Sequence, residues 1–314
     1  MRALITGAGG FAGGYLVREL RAENANVVAC GGPHDPPSDD LLPLDLGDGA
    51  SIAAALDVAS PDVVFHLAAQ TFVPDSYDAP LQTYDVNVMG TARLAQAVRA
   101  YARERGTMPR IVFASSAEVY GIRAAADFPL RETLGVRPAN PYAASKAAAE
   151  AVLLAESRAF GLDVVVARAF NHVGPGQNDR FVVPSFARQL ANVAAGAPPQ
   201  LFVGNLDAKR DFLDVRDVVR AYAALARDGD SGEIYNVCSG NAVAIRDVLR
   251  ELVAIARVPV EIRQDPQRMR PLDVPLFVGS AEKLTQRTGW RPAIALPQSL
   301  RDLYRATGNS AQSS

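Results

Sequence analysis

Seven residues, Gly7-Ala-Gly-Gly10-Phe-Ala-Gly13, restrict this chain more than any others. They follow a short apolar run, Arg2-Ala-Leu-Ile-Thr6, and open a stretch of helical periodicity from Phe11 to about Glu23. Gly7 permits a tight turn. Gly10 lets the backbone approach a pyrophosphate, and Gly13 lets the helix pack close to the sheet. The helix start then offers unpaired N–H groups and a positive dipole end to phosphates. A plain strand–turn–helix would carry the same glycines. The alternation that follows makes dinucleotide binding the better reading.

That alternation runs through the first half. Asn26–Cys30 reads as a second strand, Ala50–Ala59 as a helix and Asp62–His66 as a buried strand. Tyr84 to about Arg105 reads as one long helix, Arg110–Ala114 as a strand, Tyr142–Phe160 as an Ala-rich helix and Asp163–Ala167 as a strand. Continuous apolar strands separated by helices predict a parallel sheet covered on both faces. The expected class is α/β, a Rossmann-type doubly wound sheet with a smaller mixed lobe. Proline and glycine become frequent after Arg168, so residues 1–168 are assigned to the dinucleotide domain, with 214–240 returning to it. Residues 169–213 and 241–314 are assigned to the substrate lobe.

Composition excludes several other classes. A net charge of −2 carries no basic footprint for nucleic acid, and no apolar run is long enough to span a bilayer. Cys30 and Cys238 lie far apart without metal or redox spacing. With no leader pattern before the first strand, a cytoplasmic protein with no metal is expected. Of the 32 basic residues only Lys146, Lys209 and Lys283 are lysine, so a lysine at a chemically meaningful place stands out.

One of the three lies in Tyr142-Ala-Ala-Ser-Lys146. Spacing of i and i+4 puts phenol and ammonium on one helical face. An ammonium there is expected to lower the phenol's pKa towards neutrality, so that the tyrosine exchanges a proton with a sugar hydroxyl or carbonyl. Ser115-Ser116, expected just after a strand, supplies a hydroxyl for the same carbonyl, although serines also simply terminate strands. At the second strand, Ala29-Cys-Gly-Gly-Pro-His34 offers neither a carboxylate for a ribose nor an arginine for a 2′-phosphate. The missing carboxylate removes one repulsion towards NADP and leaves NAD(P) use open. Asp45 reads as a helix or turn cap, or as an adenine contact.

Taken together, the glycine turn, His66-Leu-Ala-Ala69, Asn87-Val-Met-Gly-Thr91, Ser115-Ser-Ala-Glu-Val-Tyr-Gly121 and the Tyr142/Lys146 pair resemble the extended short-chain dehydrogenases over nearly the whole chain. The resemblance implies Ser116, Tyr142 and Lys146 as catalytic positions. It implies a cofactor, NADP(H) or NAD(H), held by Gly7, Gly10, Phe11, Gly13, Asp45, Leu46, Leu67, Ala68, Ala69, Tyr142 and Lys146. His66 alone reads as a packed strand-end histidine.

The second half is similar to the GDP-mannose branch of that family. Phe170-Asn-His-Val-Gly-Pro-Gly176, Gly204–Phe212 and Arg270-Pro-Leu-Asp-Val274 carry the likeness. It implies a GDP-linked 4-keto-6-deoxy sugar as partner. Arg210 and Arg270 would clamp its diphosphate bidentately, and Asn171 and Arg180 would contact phosphate, nucleotide or sugar. Arg210 could instead pair with Asp211 or Asp214. The branch holds both dehydratases and C4 reductases. Glu118 matches the dehydratase glutamate, whereas chain length and Val173-Gly-Pro-Gly-Gln-Asn-Asp-Arg-Phe181 match the reductases, which make GDP-D-rhamnose or its C4 epimer. A sensor of NAD(P) on the same fold is the non-enzymatic alternative. The resemblance also implies a homodimer through the helices Tyr84–Arg105 and Tyr142–Phe160, the second smoothed by Ala143, Ala144, Ala147, Ala148 and Ala151, although these alanines could instead pack on the chain's own sheet.

Overall fold

The computed structural model describes residues 1–33, 35, 38–269 and 274–311, with only the backbone of 309–311. In chain order, the first strands are β1 (Arg2–Thr6), β2 (Asn26–Gly31), β3 (Leu42–Pro43), β4 (Val63–His66), β5 (Arg110–Ser116) and β6 (Val164–Ala169). The second half adds β7 (Asn171–Val173), β8 (Gln200–Val203), β9 (Lys209–Asp214) and β10 (Ile234–Val237). It ends with β11 (Ala242–Ala244), β12 (Glu261–Gln264) and β13 (Leu276–Phe277).

Seven of these form one sheet in the order β10-β6-β5-β4-β1-β2-β3, and every pairing in it is parallel. The apolar continuity of the strands has its cause here. Alternate residues of one strand enter cores on opposite faces. Val112 and Val165 pack with helices Phe11–Ala22 and Val215–Asp228, while Ile111, Phe113 and Val164 pack with Gly49–Ala59, Gly90–Arg105 and Pro141–Phe160. Truncating Ile111 or Phe113 to alanine would cost about 2–5 kcal/mol. The chain runs outward from β1 through β2 and β3, then returns to β4 and proceeds the other way. The reversal opens a crevice at the carboxyl ends of β1 and β4, the place where such sheets take ligands.

Several local differences have clear causes. Ser115 and Ser116 lie inside β5, because β6 continues to pair with them through Arg168 and Ala169. The long helix expected from Tyr84 begins instead with Pro80–Tyr84, widens to a π-turn at Asp85–Met89 and becomes α-helical at Gly90–Arg105. Widened turns of this kind often mark functional sites.

The smaller lobe is built on β9, which pairs with β7 and β13 in parallel and with β11 antiparallel. β8 and β12 form a separate parallel pair. Phe186, Leu190, Leu201, Leu249, Leu252 and Leu300 make this lobe's core. Between the two halves of the lobe the chain visits the main sheet as helix Val215–Asp228 and edge strand β10. Leu284 and Trp290, in a stretch assigned by sequence to the smaller lobe, pack into the main sheet's core. Among the described residues no helix is long and apolar enough to cross a membrane.

Candidate active site

The glycine turn lies at the crevice. Gly7 has φ +71°, and a Cβ there would sit 2.7 Å from the Ala68 backbone nitrogen. Leu67-Ala68-Ala69, just past β4, therefore presses directly on the turn. A Cβ on Gly13 would meet Gly7 O at 2.1 Å, so only glycine allows the helix this close to the strand. Gly10 is the N-cap of helix Phe11–Ala22; no side chain caps that end, and its first turn holds no acidic residue. The exposed N–H groups are thus left for an anion, and the cradle fits a pyrophosphate. Phe11, the first helical residue, stacks on His172 with centroids 6.0 Å apart, and Tyr15 Oη donates to Pro175 O at 2.8 Å. These contacts bring the Phe170–Gly176 motif of the second half onto the glycine turn.

Helix Pro141–Phe160 delivers the tyrosine and lysine. Proline begins it and Asn140 caps it, its Oδ1 accepting from Ala143 N at 2.7 Å. The Tyr142 phenol is buried, with Ser116 and Glu118 near enough to act on its ionisation. Burial pushes the phenol up to about 12, Ser116 opposes this, and the Glu118 charge adds to it. The expected drop towards neutrality is absent, because the Lys146 ammonium is directed elsewhere. Its Nζ donates to Ala114 O at 2.8 Å and lies 4.8 Å from the Phe113 ring centroid. Burial pulls Lys146 down to about 8, and Glu150 opposes the fall. Glu118 Oε2 accepts from Asn140 Nδ2 at 3.2 Å, so the same asparagine caps the helix and orients this carboxylate.

A buried polar network sets the floor. His66 bonds Thr6 Oγ1 at 2.8 Å through Nδ1 and Thr91 Oγ1 at 2.9 Å through Nε2. Thr91 spends its proton on Asn87 O at 2.7 Å, so Nε2 carries the ring proton. Burial holds the ring neutral, pulling it down to about 3 with help from the Lys146 charge. His66 is thus the packed strand-end histidine expected. Asn87, in the π-turn, accepts from Gln70 N at 2.8 Å and donates to Ser145 Oγ at 2.9 Å. It fastens the loop after β4 to the tyrosine helix.

The remaining candidates are distributed less simply. Asn171 is exposed at the start of β7, and Arg210 stands on the adjacent β9, two residues before the partner of Asn171. Arg210 Nη1 donates to Val274 O at 2.6 Å. The acids suggested for it are engaged otherwise. Asp211 accepts from Ser239, Gly240 and Gly279, and Asp214 pairs with Arg216 and Ser299. Arg180 turns to Asp75, with Nη1 at 3.1 Å, and lies 3.9 Å from the Phe72 ring centroid. Its neighbourhood is still the site's, since Ser76 accepts from Tyr142 N at 3.2 Å. Asp45 is a turn cap that accepts from Gly47 N at 2.7 Å, and the buried Leu46 packs below Gly90. Arg270 lies outside the described residues.

Two features escaped the sequence. Asp35 Oδ2 accepts from Gly32 N at 2.8 Å and lies 2.8 Å from the position of a Cβ on Gly9. The turn after β2 therefore returns a carboxylate to the glycine loop, although the residues up to His34 carry none. Glu150 and Arg168 form a buried ion pair beside Ser115. The i, i+4 step from Lys146 to Glu150 was its one visible signal.

A sequence profile of the GDP-mannose 4,6-dehydratase family matches residues 4–303. The chain belongs to that family. Within the family's reach, a GDP-6-deoxy-D-mannose reductase of Pseudomonas aeruginosa is 43% identical over 301 residues, covering 96% of this chain and 95% of the relative. A GDP-mannose 4,6-dehydratase of Yersinia enterocolitica is 28% identical, covering 95% of this chain and 91% of the relative. That alignment extends over 343 positions, more than this chain contains, so the dehydratase carries inserted segments. Among solved structures, RMD of Pseudomonas aeruginosa complexed with NADPH superposes with a TM-score of 0.88 at 39% identity, covering 99% of this chain and 100% of that one. A UDP-glucose 4-epimerase of Thermus thermophilus in complex with NAD gives 0.85 at 32%, covering 98% and 99%.

Proposed function

We propose that this family member reduces the C4 ketone of GDP-4-keto-6-deoxy-D-mannose, giving GDP-D-rhamnose or its C4 epimer. The cradle of Gly7, Gly10 and Gly13, with Phe11 and Leu67–Ala69 around it, would hold NAD(P)H, which supplies hydride to the sugar's C4. The protein's own part is to place the ketone and hand it a proton. Tyr142 is protonated at neutral pH, and a proton donor is what carbonyl reduction requires. Ser116, at the end of β5, would polarise the same oxygen. Lys146, one turn away on the same helical face, is the cation available to the phenolate that forms as the proton leaves.

A reductase 43% identical to this chain, and matched almost end to end, carries this reading; Tyr142, Ser116 and Lys146, all buried at one site, supply the chemistry it needs. Asn171, Arg180, Arg210 and Arg270 form the substrate side, with Arg210 and Arg270 on the diphosphate. Glu118, oriented by Asn140, positions the sugar. Residues 1–168 and 214–240 carry the dinucleotide, and the rest of the second half carries the nucleotide sugar. Ala148 and Ala151 are exposed on helix Pro141–Phe160, beside helix Gly90–Arg105, and support a homodimer through these helices. Ala143 belongs instead to the chain's own packing, being fully buried. The protein acts in the cytoplasm. The direct test is cofactor oxidation followed by absorbance. The 4-keto substrate should drive it, and GDP-mannose should not; no oxidation with the 4-keto substrate refutes the assignment.

A further inference from the structure

Beneath Tyr142 and Lys146 lies a charged cluster that the proposed reduction leaves unused. Glu150 is one helical turn past Lys146, on the same face. Its carboxylate accepts from Arg168 Nε at 2.9 Å and Nη2 at 2.6 Å, and from Ser115 Oγ at 2.5 Å. Glu150 and Arg168 are each only 3% exposed. Arg168 faces Ser115 in the β5–β6 register, and its guanidinium lies 4.7 Å from the Tyr120 ring centroid. Its Nη1 is buried with no hydrogen-bond partner.

Stability does not account for this arrangement. Desolvating two charges costs as much as their attraction returns, and apolar residues of similar volume often serve the fold equally well. The neighbourhood of Lys146 does account for it. The lysine is buried, and apart from the Phe113 ring face 4.8 Å from Nζ the groups packed around it give little support to its charge. Tyr142 on its own helix is a neutral phenol, His66 from β4 is a neutral imidazole, and Ala114 offers a carbonyl. Glu118 bears on Tyr142, and Arg168 from β6 is itself a cation. Glu150 is the carboxylate that opposes the effect of burial on Lys146.

We infer that Glu150 is the counter-charge that keeps Lys146 an ammonium, held in place by Arg168 and Ser115. It acts through Lys146 and touches no substrate, so it is a positioning residue. Ser115 adjoins Ser116, so the cluster also ties the helix bearing Tyr142 and Lys146 to the strand bearing Ser116. This rests on the reading that the reduction needs Lys146 charged.

The chain's three lysines make the titration directly visible. Isotopic labelling of lysine gives three side-chain NMR signals, and Lys146→Arg identifies one by its loss. Glu150→Gln should lower the Lys146 midpoint by about one pH unit or more, the scale on which an adjacent opposite charge acts. Glu150→Asp, which restores the charge, should recover most of the shift. If Glu150→Gln does not fold, the double change Glu150→Leu with Arg168→Met removes the pair without leaving a lone buried charge. It should lower the midpoint by less, because a buried cation leaves with the carboxylate. An unchanged midpoint in any folded variant lacking the carboxylate overturns the inference. The alkaline limb of kcat/KM for the 4-keto substrate should move with the NMR midpoint. A midpoint that moves while the limb stays fixed upholds the counter-charge and refutes the role of Lys146 in the reduction.

Discussion

Two adjacent glycines should respond in opposite ways to the same added methyl group. Gly13 and Gly14 both lie in helix Phe11–Ala22. A Cβ at Gly13 would be 2.1 Å from Gly7 O and 2.7 Å from Ala8 Cα, whereas at Gly14 the nearest atom is Arg18 Nη1 at 3.8 Å. Real Cβ contacts stay beyond 3.0 Å, so Gly13→Ala must move the helix from the turn by roughly an ångström, since backbone cannot swing aside as a side chain can. Overpacking of this kind costs about 1–3 kcal/mol. Gly14→Ala meets no such obstacle and should stabilise the helix by about 1 kcal/mol through propensity alone. The displaced helix start also loses its hold on the pyrophosphate. One hydrogen bond to a charged group is worth about 1.5–3 kcal/mol, which weakens cofactor binding roughly ten- to hundredfold. Thermal melts and fluorescence titration with NADPH and NADH read both effects. If Gly13→Ala melts as high as Gly14→Ala and binds either dinucleotide with wild-type affinity, the pyrophosphate does not sit on this helix start.

The other substitutions probe single groups. Tyr142→Phe should lower turnover by about 10²–10⁴-fold while leaving the dissociation constant for NAD(P)H nearly unchanged, because it removes a proton donor; unchanged turnover removes Tyr142 from the chemistry. Asp35→Asn should raise NADPH affinity relative to NADH by about tenfold, since a carboxylate beside the ribose repels a 2′-phosphate. Calorimetry with both dinucleotides checks it, and an unchanged ratio places the ribose away from Asp35. Arg210→Ala should raise KM for the nucleotide sugar by about tenfold or more and spare cofactor binding, as expected for a lost bidentate contact; weakened NADPH binding would place Arg210 on the wrong ligand.

What could be read before the structure depended on spacing within single elements. The strands announced themselves because β5 and β6 are covered on both faces and so carry unbroken apolar runs. The Gly7–Gly13 turn and the Tyr142–Lys146 step are likewise local patterns. What stayed hidden came from pairings across long separations. Arg180 meets Asp75 over 105 residues, and Tyr15 meets Pro175 over 160. No periodicity encodes either. Asp35 was missed for a different reason. Read only as far as His34, the end of β2 offers no carboxylate, whereas the turn closed by Gly32 returns one to the glycine loop from just beyond. The state of Tyr142 was misjudged because helical spacing fixes which face a phenol shares with an ammonium, not how deeply it is buried. Burial dominates, and Ala114 O takes the ammonium.

Reduction and dehydration differ at one bond, and deuterium reports on it. A C4 reductase leaves the sugar's C5–H intact. A dehydratase removes the C5 proton and returns one from solvent. The decisive measurement is therefore product analysis by mass in deuterated water, with the wild-type protein supplied separately with GDP-mannose and with GDP-4-keto-6-deoxy-D-mannose plus NAD(P)H. The account predicts no conversion of GDP-mannose. From the 4-keto substrate it predicts a product heavier by two hydrogens, with no enzyme-dependent deuterium at C5. A 4-keto product formed from GDP-mannose, carrying solvent deuterium, would contradict it and make the protein a dehydratase.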